Sequence, residues 1–134
     1  MVRYTIISLS RIADEAILVS TQDGKTVPFE IKRAYVISKI KRSSVRGKHA
    51  HKITKQALFC IQGSMSVTLD DGKERKTIRL NKPEKGILID NMVWHEMNDF
   101  SFDATLLILA SEYFKKSDYI RDYDIFLRKL KHTL

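Results

Sequence analysis

No apolar stretch of this chain runs longer than a β-strand, and nearly every one is closed by a turn signal. Val2 to Leu9 and Ala16 to Thr21 are rich in β-branched residues and alternate in polarity, which suits strands with one covered face. Gln22-Asp23-Gly24-Lys25 then marks a turn. Ile31 to Ile37 reads as a third strand, with Ile31, Arg33, Tyr35 and Ile37 on one face, and Lys39 to Lys48 as a polar, basic loop. A strand carrying His49-Ala50-His51 follows, then the apolar run Gln56 to Ile61, closed by Gln62-Gly63-Ser64. Met65 to Leu69 and Thr77 to Leu80 flank the hairpin signal Asp70-Asp71-Gly72. Ile87 to Ile89 and Thr105 to Ser111 complete the strands.

The period then changes. Tyr119, Ile120, Tyr123, Phe126, Leu127 and Leu130 recur at helical spacing, which predicts an amphipathic helix over about 118–131. Ser117 or Asp118 would cap it, and Arg128, Lys129 and Lys131 suit the negative end of its dipole. About nine or ten short strands and one C-terminal helix predict an all-β jelly roll or β-sandwich. No linker or repeat divides the chain, so a single domain over 1–134 is expected.

With 134 residues the chain can bury a full core without crosslinks. Its one cysteine, Cys60, lies in an apolar strand, and no charged-then-apolar leader is visible. Both features predict a reduced, cytoplasmic protein with a structural thiol. No apolar run is long enough to span a bilayer, so no membrane partner is expected. The net charge of +8 raises the question of an anionic partner. The basic residues are dispersed and carry no zinc-finger or helix-turn-helix pattern, which argues against nucleic acid, and a small anion such as a nucleotide diphosphate fits the charge equally well.

The stretch with the most chemistry is Arg46-Gly47-Lys48-His49-Ala50-His51-Lys52, followed by Gln56 and Gly63. Histidines at i and i+2 of a strand share a face, so two imidazoles point together into whatever the sheets enclose. Such a pair can bind a metal, move protons or serve as a polar core feature. A third histidine, His95, stands beside the only tryptophan, Trp94.

The spacing of His49-x-His51, Gln56 and Gly63 resembles the first motif of cupins, with His95 where their second motif supplies a histidine. Metal-binding cupins have a glutamate where this chain has Gln56, a much poorer ligand, although three histidines could still hold zinc or iron. Arg46-Gly47-x-His49-Ala50-His51-Lys52, Gln56, Leu69-Asp70-Asp71-Gly72, Val93-Trp94-His95-Glu96-Met97 and Asp118-Tyr119-Ile120-Arg121-Asp122-Tyr123 together resemble the sugar 3,4-ketoisomerases. The resemblance implies a cupin-type jelly roll acting on dTDP-4-keto-6-deoxyglucose in the synthesis of 3-amino sugars. It also implies a reaction without metal or other cofactor, and a homodimer with exchanged N-terminal strands.

Under that resemblance, His49 and His51 become the acid–base pair, with His51 the base at carbon. Imidazole takes and gives protons near neutral pH without extreme tuning. Tyr35 could donate to a sugar oxygen. Arg46 and Arg33 could hold the diphosphate through paired hydrogen bonds, with Arg121 a further nucleotide contact. Gln56 could bind the sugar or orient a histidine, although as part of the same strand it falls out of step with the pair. His95 would face the same cavity. Competing readings are a metal-dependent cupin enzyme and a non-catalytic nucleotide-sugar sensor. The related 3,5-epimerases need an aspartate and a tyrosine at spacings that the Arg-Gly-x-His-Ala-His-Lys stretch does not resemble.

Overall fold

The computed structural model describes Val2 and residues 4–22 and 24–133. Arg3, in the first expected strand, and Asp23, in the first expected turn, lie outside them.

Two five-stranded antiparallel sheets carry the fold. The first has the order β1 (Tyr4–Ser8), β9 (Lys85–Ile89), β6 (Gln56–Gln62), β11 (Thr105–Ala110), β4 (Arg33–Ile37). The second has the order β12 (Tyr119–Ile120), β5 (Arg46–His51), β10 (Trp94–Asn98), β7 (Met65–Asp70), β8 (Arg75–Leu80). A separate hairpin pairs β2 (Ser10–Ala13) with β3 (Ile17–Ser20). The helix α1 spans Tyr123–Thr133. The architecture is the expected β-sandwich with a C-terminal helix.

Alternation along each strand decides what is buried where. Leu58, Cys60, Val67, Leu69, Ile87, Leu106 and Ile108 meet between the sheets. Ala57, Phe59 and Leu109, which face the other way, are covered by Ile7 and Val27, with Phe29 and Ile31 packed against them. Both faces of β6 are therefore covered, which is why Gln56 to Cys60 are all buried. On the outer face of the second sheet, Ala50 and Trp94 pack with Ile120 and with Phe126 of α1. Ala50 thus faces the helix while its neighbours His49 and His51 face inward.

Two expectations need correction. α1 begins at Tyr123, not at Asp118; Asp122 is the cap, its carboxylate accepting from the Ile125 N–H at 3.0 Å. Tyr119 and Ile120 are extended and pair with His51 and Ala50. Without them β5 would be an edge strand with bare backbone groups, and pairing outweighs the helical spacing of their side chains. The second correction concerns Gln56. It belongs not to the histidine strand but to β6 in the facing sheet, so the parity objection does not apply. The hairpin strand β2 had no counterpart in the sequence reading, because Ser-Arg-Ile-Ala carries no alternation strong enough to mark it.

Phe126 is fully buried and is the aromatic wedge between α1 and the second sheet. Phe126→Ala is expected to lower the unfolding free energy by about 3–5 kcal/mol, measured by urea titration.

Candidate active site

The site is built where β5 lies between β10 and β12. Gly47 and Lys48 both have positive φ, +84° and +53°. Across from them the register passes from His95↔His49 to Glu96↔Gly47, leaving Lys48 as the extra residue of a bulge. A Cβ on Gly47 would stand 3.0 Å from the His95 carbonyl oxygen, so both the turn and the close approach require glycine here. The bulge sets His49 directly opposite His95. Their ring centroids are 4.6 Å apart, and His49 and His51 are 4.9 Å apart.

Each of the three imidazoles turns its Nδ1 to an acceptor. His49 Nδ1 donates to the Gly47 carbonyl at 2.9 Å, His51 Nδ1 to Asp118 Oδ2 at 2.9 Å, and His95 Nδ1 to the Val93 carbonyl at 3.3 Å. Carbonyls and carboxylates only accept, so these contacts assign the proton to Nδ1 and leave the Nε2 lone pairs free. His51 Nε2 is buried and has no hydrogen-bond partner.

Facing the histidines from the first sheet are Tyr35 of β4 and Gln56 of β6, whose Nε2 donates to the Tyr35 hydroxyl at 3.0 Å. With its oxygen accepting from Gln56, the phenol has its own proton available for the cavity. The space divides into an inner pocket beside Tyr35, His49, Gln56 and His95 and an outer one beside Arg33, His51, Gln56 and Tyr119. Cations line the outer side. The Arg33 guanidinium stacks over Tyr35 at 4.3 Å and lies 5.2 Å from the Phe114 ring. Arg121 stacks over Tyr119 at 4.5 Å, and Tyr119 in turn packs against His51 at 4.4 Å.

Electrostatics follow from this burial. Desolvation, together with the neighbouring His51, lowers the His49 pKa to about 4 despite the Gly47 carbonyl. Burial and the other two histidines hold His95 well below the ordinary value. His51 is also lowered, because burial outweighs the bond to Asp118 and its charge. The histidines are therefore tuned further than an ordinary imidazole, and all three are neutral at pH 7. Burial, then Tyr119, raises the Tyr35 pKa, with Arg33, Gln56 and Arg46 opposing. For Asp118, burial works against ionisation, but hydrogen bonds from Thr54, the Ile53 N–H and His51 prevail and its pKa falls.

The profile of the FdtA: WxcM-like, C-terminal family matches residues 2–131. Over 122 residues, 90% of this chain and 88% of the relative, the sequence is 44% identical to a TDP-4-oxo-6-deoxy-alpha-D-glucose-3,4-oxoisomerase of Aneurinibacillus thermoaerophilus. This chain belongs to the sugar 3,4-ketoisomerase family. Among solved members, a 3,4-ketoisomerase from Helicobacter canadensis is 41% identical with a TM-score of 0.95, covering 98% of this chain and 99% of that one. A mutant of the 3,4-ketoisomerase QdtA from Thermoanaerobacterium thermosaccharolyticum, in complex with TDP-4-keto-6-deoxyglucose, is 39% identical with a TM-score of 0.93, covering 96% and 94%.

In this ketoisomerase, His49, His95 and Tyr35 line the inner space and His51 and Arg33 the outer one, with Gln56 shared by both. Arg121 is placed beside them by its stacking on Tyr119, whereas Arg46, at the start of β5, is exposed and is not among the residues that line either space. Asp118, Thr54 and Tyr119 belong to the site and were missed, since Asp118 and Tyr119 read as the start of a helix. The three histidines offer nitrogen atoms within 4.8 Å of one another. Zinc would need them about 3.3 Å apart, given Zn–N bonds of about 2.0–2.1 Å in tetrahedral geometry. Gln56, which directs its amide N–H to Tyr35, would be the neutral fourth neighbour.

Depressed histidine pKa values have a consequence for stability. Between about pH 4 and the ordinary value near 6.5, the unfolded chain binds protons that the native His49 refuses, so stability falls as pH falls through that window. The melting temperature is expected to drop from pH 7 to pH 5, and His49→Asn should flatten that slope. Scanning fluorimetry across pH checks it; an unchanged slope in the variant would contradict the assignment.

Proposed function

We propose that this protein is an isomerase that converts dTDP-4-keto-6-deoxy-D-glucose into the 3-keto-6-deoxyhexose, without a cofactor, and so supplies a keto sugar for amination at C3. The observation that carries the reading is a set of neutral imidazoles facing a phenol across a cavity flanked by arginines. The 44% identical relative is named for this conversion.

The reaction moves a carbonyl from C4 to C3 through an enediol. The proton on C3 leaves to an imidazole while the C4 oxygen takes one, giving the enediol. The C3 hydroxyl then gives up its proton and C4 receives one, so the balance closes with no redox partner. Neutral His49 and His51 have the free Nε2 atoms to take and return these protons. Tyr35, with its own proton unspent, serves a sugar oxygen. Arg33, Arg46 and Arg121 supply fixed positive charge for the diphosphate and the enediolate. Once that anionic charge develops, it favours the imidazolium that burial alone disfavours.

The same reading includes a homodimer with exchanged N-terminal strands. Supporting it, the β2–β3 hairpin leaves Ile12, Ile17 and Leu18 more than half exposed, an apolar surface that a second copy would cover. Among the described residues no helix is long and apolar enough to cross a membrane. A free, buried Cys60 agrees with the reducing cytoplasm.

Proton NMR of dTDP-4-keto-6-deoxyglucose in D₂O with EDTA-treated protein is expected to show a 3-keto sugar carrying deuterium at C4. His51→Asn should remove turnover by at least about 100-fold while binding dTDP within a few-fold. Turnover only on adding a divalent ion would favour the metal enzyme, which the three-histidine cluster could accommodate. Binding without turnover in either condition would favour the sensor. Light scattering should give a dimer mass, and Ile17→Lys with Leu18→Glu should shift it toward the monomer.

A further inference from the structure

Among the described residues, Asp118 is the one carboxylate hydrogen-bonded to the histidine cluster, and it is held more firmly than a surface acid would be. Its side chain is 6% exposed. Oδ1 accepts the Ile53 N–H at 2.7 Å, and Oδ2 accepts both the Thr54 hydroxyl and His51 Nδ1. Its backbone is also fixed, the carbonyl accepting from the Lys52 N–H at 2.9 Å and the N–H donating to the Lys115 carbonyl at 3.0 Å. The next residue, Tyr119, is the register partner of His51. Carboxylate and imidazole are therefore locked together by two strands.

We infer that Asp118 is a positioning residue for the proposed isomerisation: it locks His51 in the Nδ1–H tautomer, so that the unpartnered Nε2 is the atom that exchanges protons with the sugar. Three physical consequences follow from one contact. An ionised carboxylate cannot donate, so the opposite tautomer would set two lone pairs against each other. The ring is held at a fixed angle on the cavity wall. The imidazolium formed when Nε2 accepts a proton keeps an adjacent negative charge, whereas His49, whose Nδ1 meets a neutral carbonyl, has none. Asp118 thus makes the two neighbouring histidines chemically unequal, with His51 the stronger proton acceptor. Its carboxylate stands behind the ring, at the nitrogen opposite the free one, and acts only through His51.

The inference rests on the ketoisomerase reading, and the test separates the two. Two-bond ¹H–¹⁵N correlation spectra of the wild-type protein should show His51 protonated at Nδ1 with Nε2 bare; a proton on Nε2 overturns the inference whatever the activity. Asp118→Asn keeps the shape and the acceptor for Ile53, but its amide can donate to Nδ1 and drive the proton to Nε2. The variant should show that tautomer switch and a fall in kcat of at least about 100-fold, with KM within a few-fold. A switched tautomer with unchanged kcat would remove Asp118 from the reaction. If the wild type itself lacks ketoisomerase activity while His51 is in the Nδ1–H form, the ketoisomerase reading fails and the tautomer lock stands.

Discussion

Backbone pairing on both edges of β5 is the constraint on which the rest of this site depends. On one side β10 brings His95 opposite His49; on the other, the two residues of β12 bring Tyr119 opposite His51 and deliver Asp118 behind it. A strand that carries polar, proton-active side chains inward has little apolar contact of its own on that face. It is held instead by its ladder hydrogen bonds and by Ala50, which is buried in the aromatic cluster under α1. Period-two alternation thus separates two tasks on consecutive residues: attachment to the helix on one face, chemistry on the other.

Burial of three imidazoles is unfavourable for their charged forms, and the fold resolves this by keeping them neutral rather than by pairing each with an acid. Among the described residues only His51 has a carboxylate partner, and that carboxylate is itself stabilised by three donors. The fixed positive charges sit further out, stacked on Tyr35, Phe114 and Tyr119. Stacking leaves guanidinium edges free for an anionic ligand while holding their planes in place. A pocket with neutral bases inside and cations around them suits a substrate whose reacting carbons become anionic and whose far end carries phosphate.

The site was partly legible in the chain. His49, His51, Tyr35 and Arg33 were singled out because type and spacing along a strand are local properties, and His95 because its position resembles that of the histidine in the second cupin motif. Gln56 was named, but its place was misjudged: the short turn after His51 reverses the chain into the other sheet, and nothing local reports such a crossing. Asp118 was taken for a helix cap. A short acid before a helical pattern satisfies that role equally well, and here Asp122 fills it.

What the sequence determined by itself was most of the strands, though not β2, β10 or β12, together with the shared face of His49 and His51 and the family to which the chain belongs. Those follow from period, residue type and combined motifs, all of which survive without knowledge of the fold. The tertiary structure decided which sheet each strand joins, that Tyr119–Ile120 leaves the helix to pair with β5, and that Asp118 meets His51 from 67 residues away in sequence. Such decisions depend on satisfying backbone groups at strand edges and on desolvating side chains together. Both are properties of segments far apart in sequence, and no window along the chain contains them.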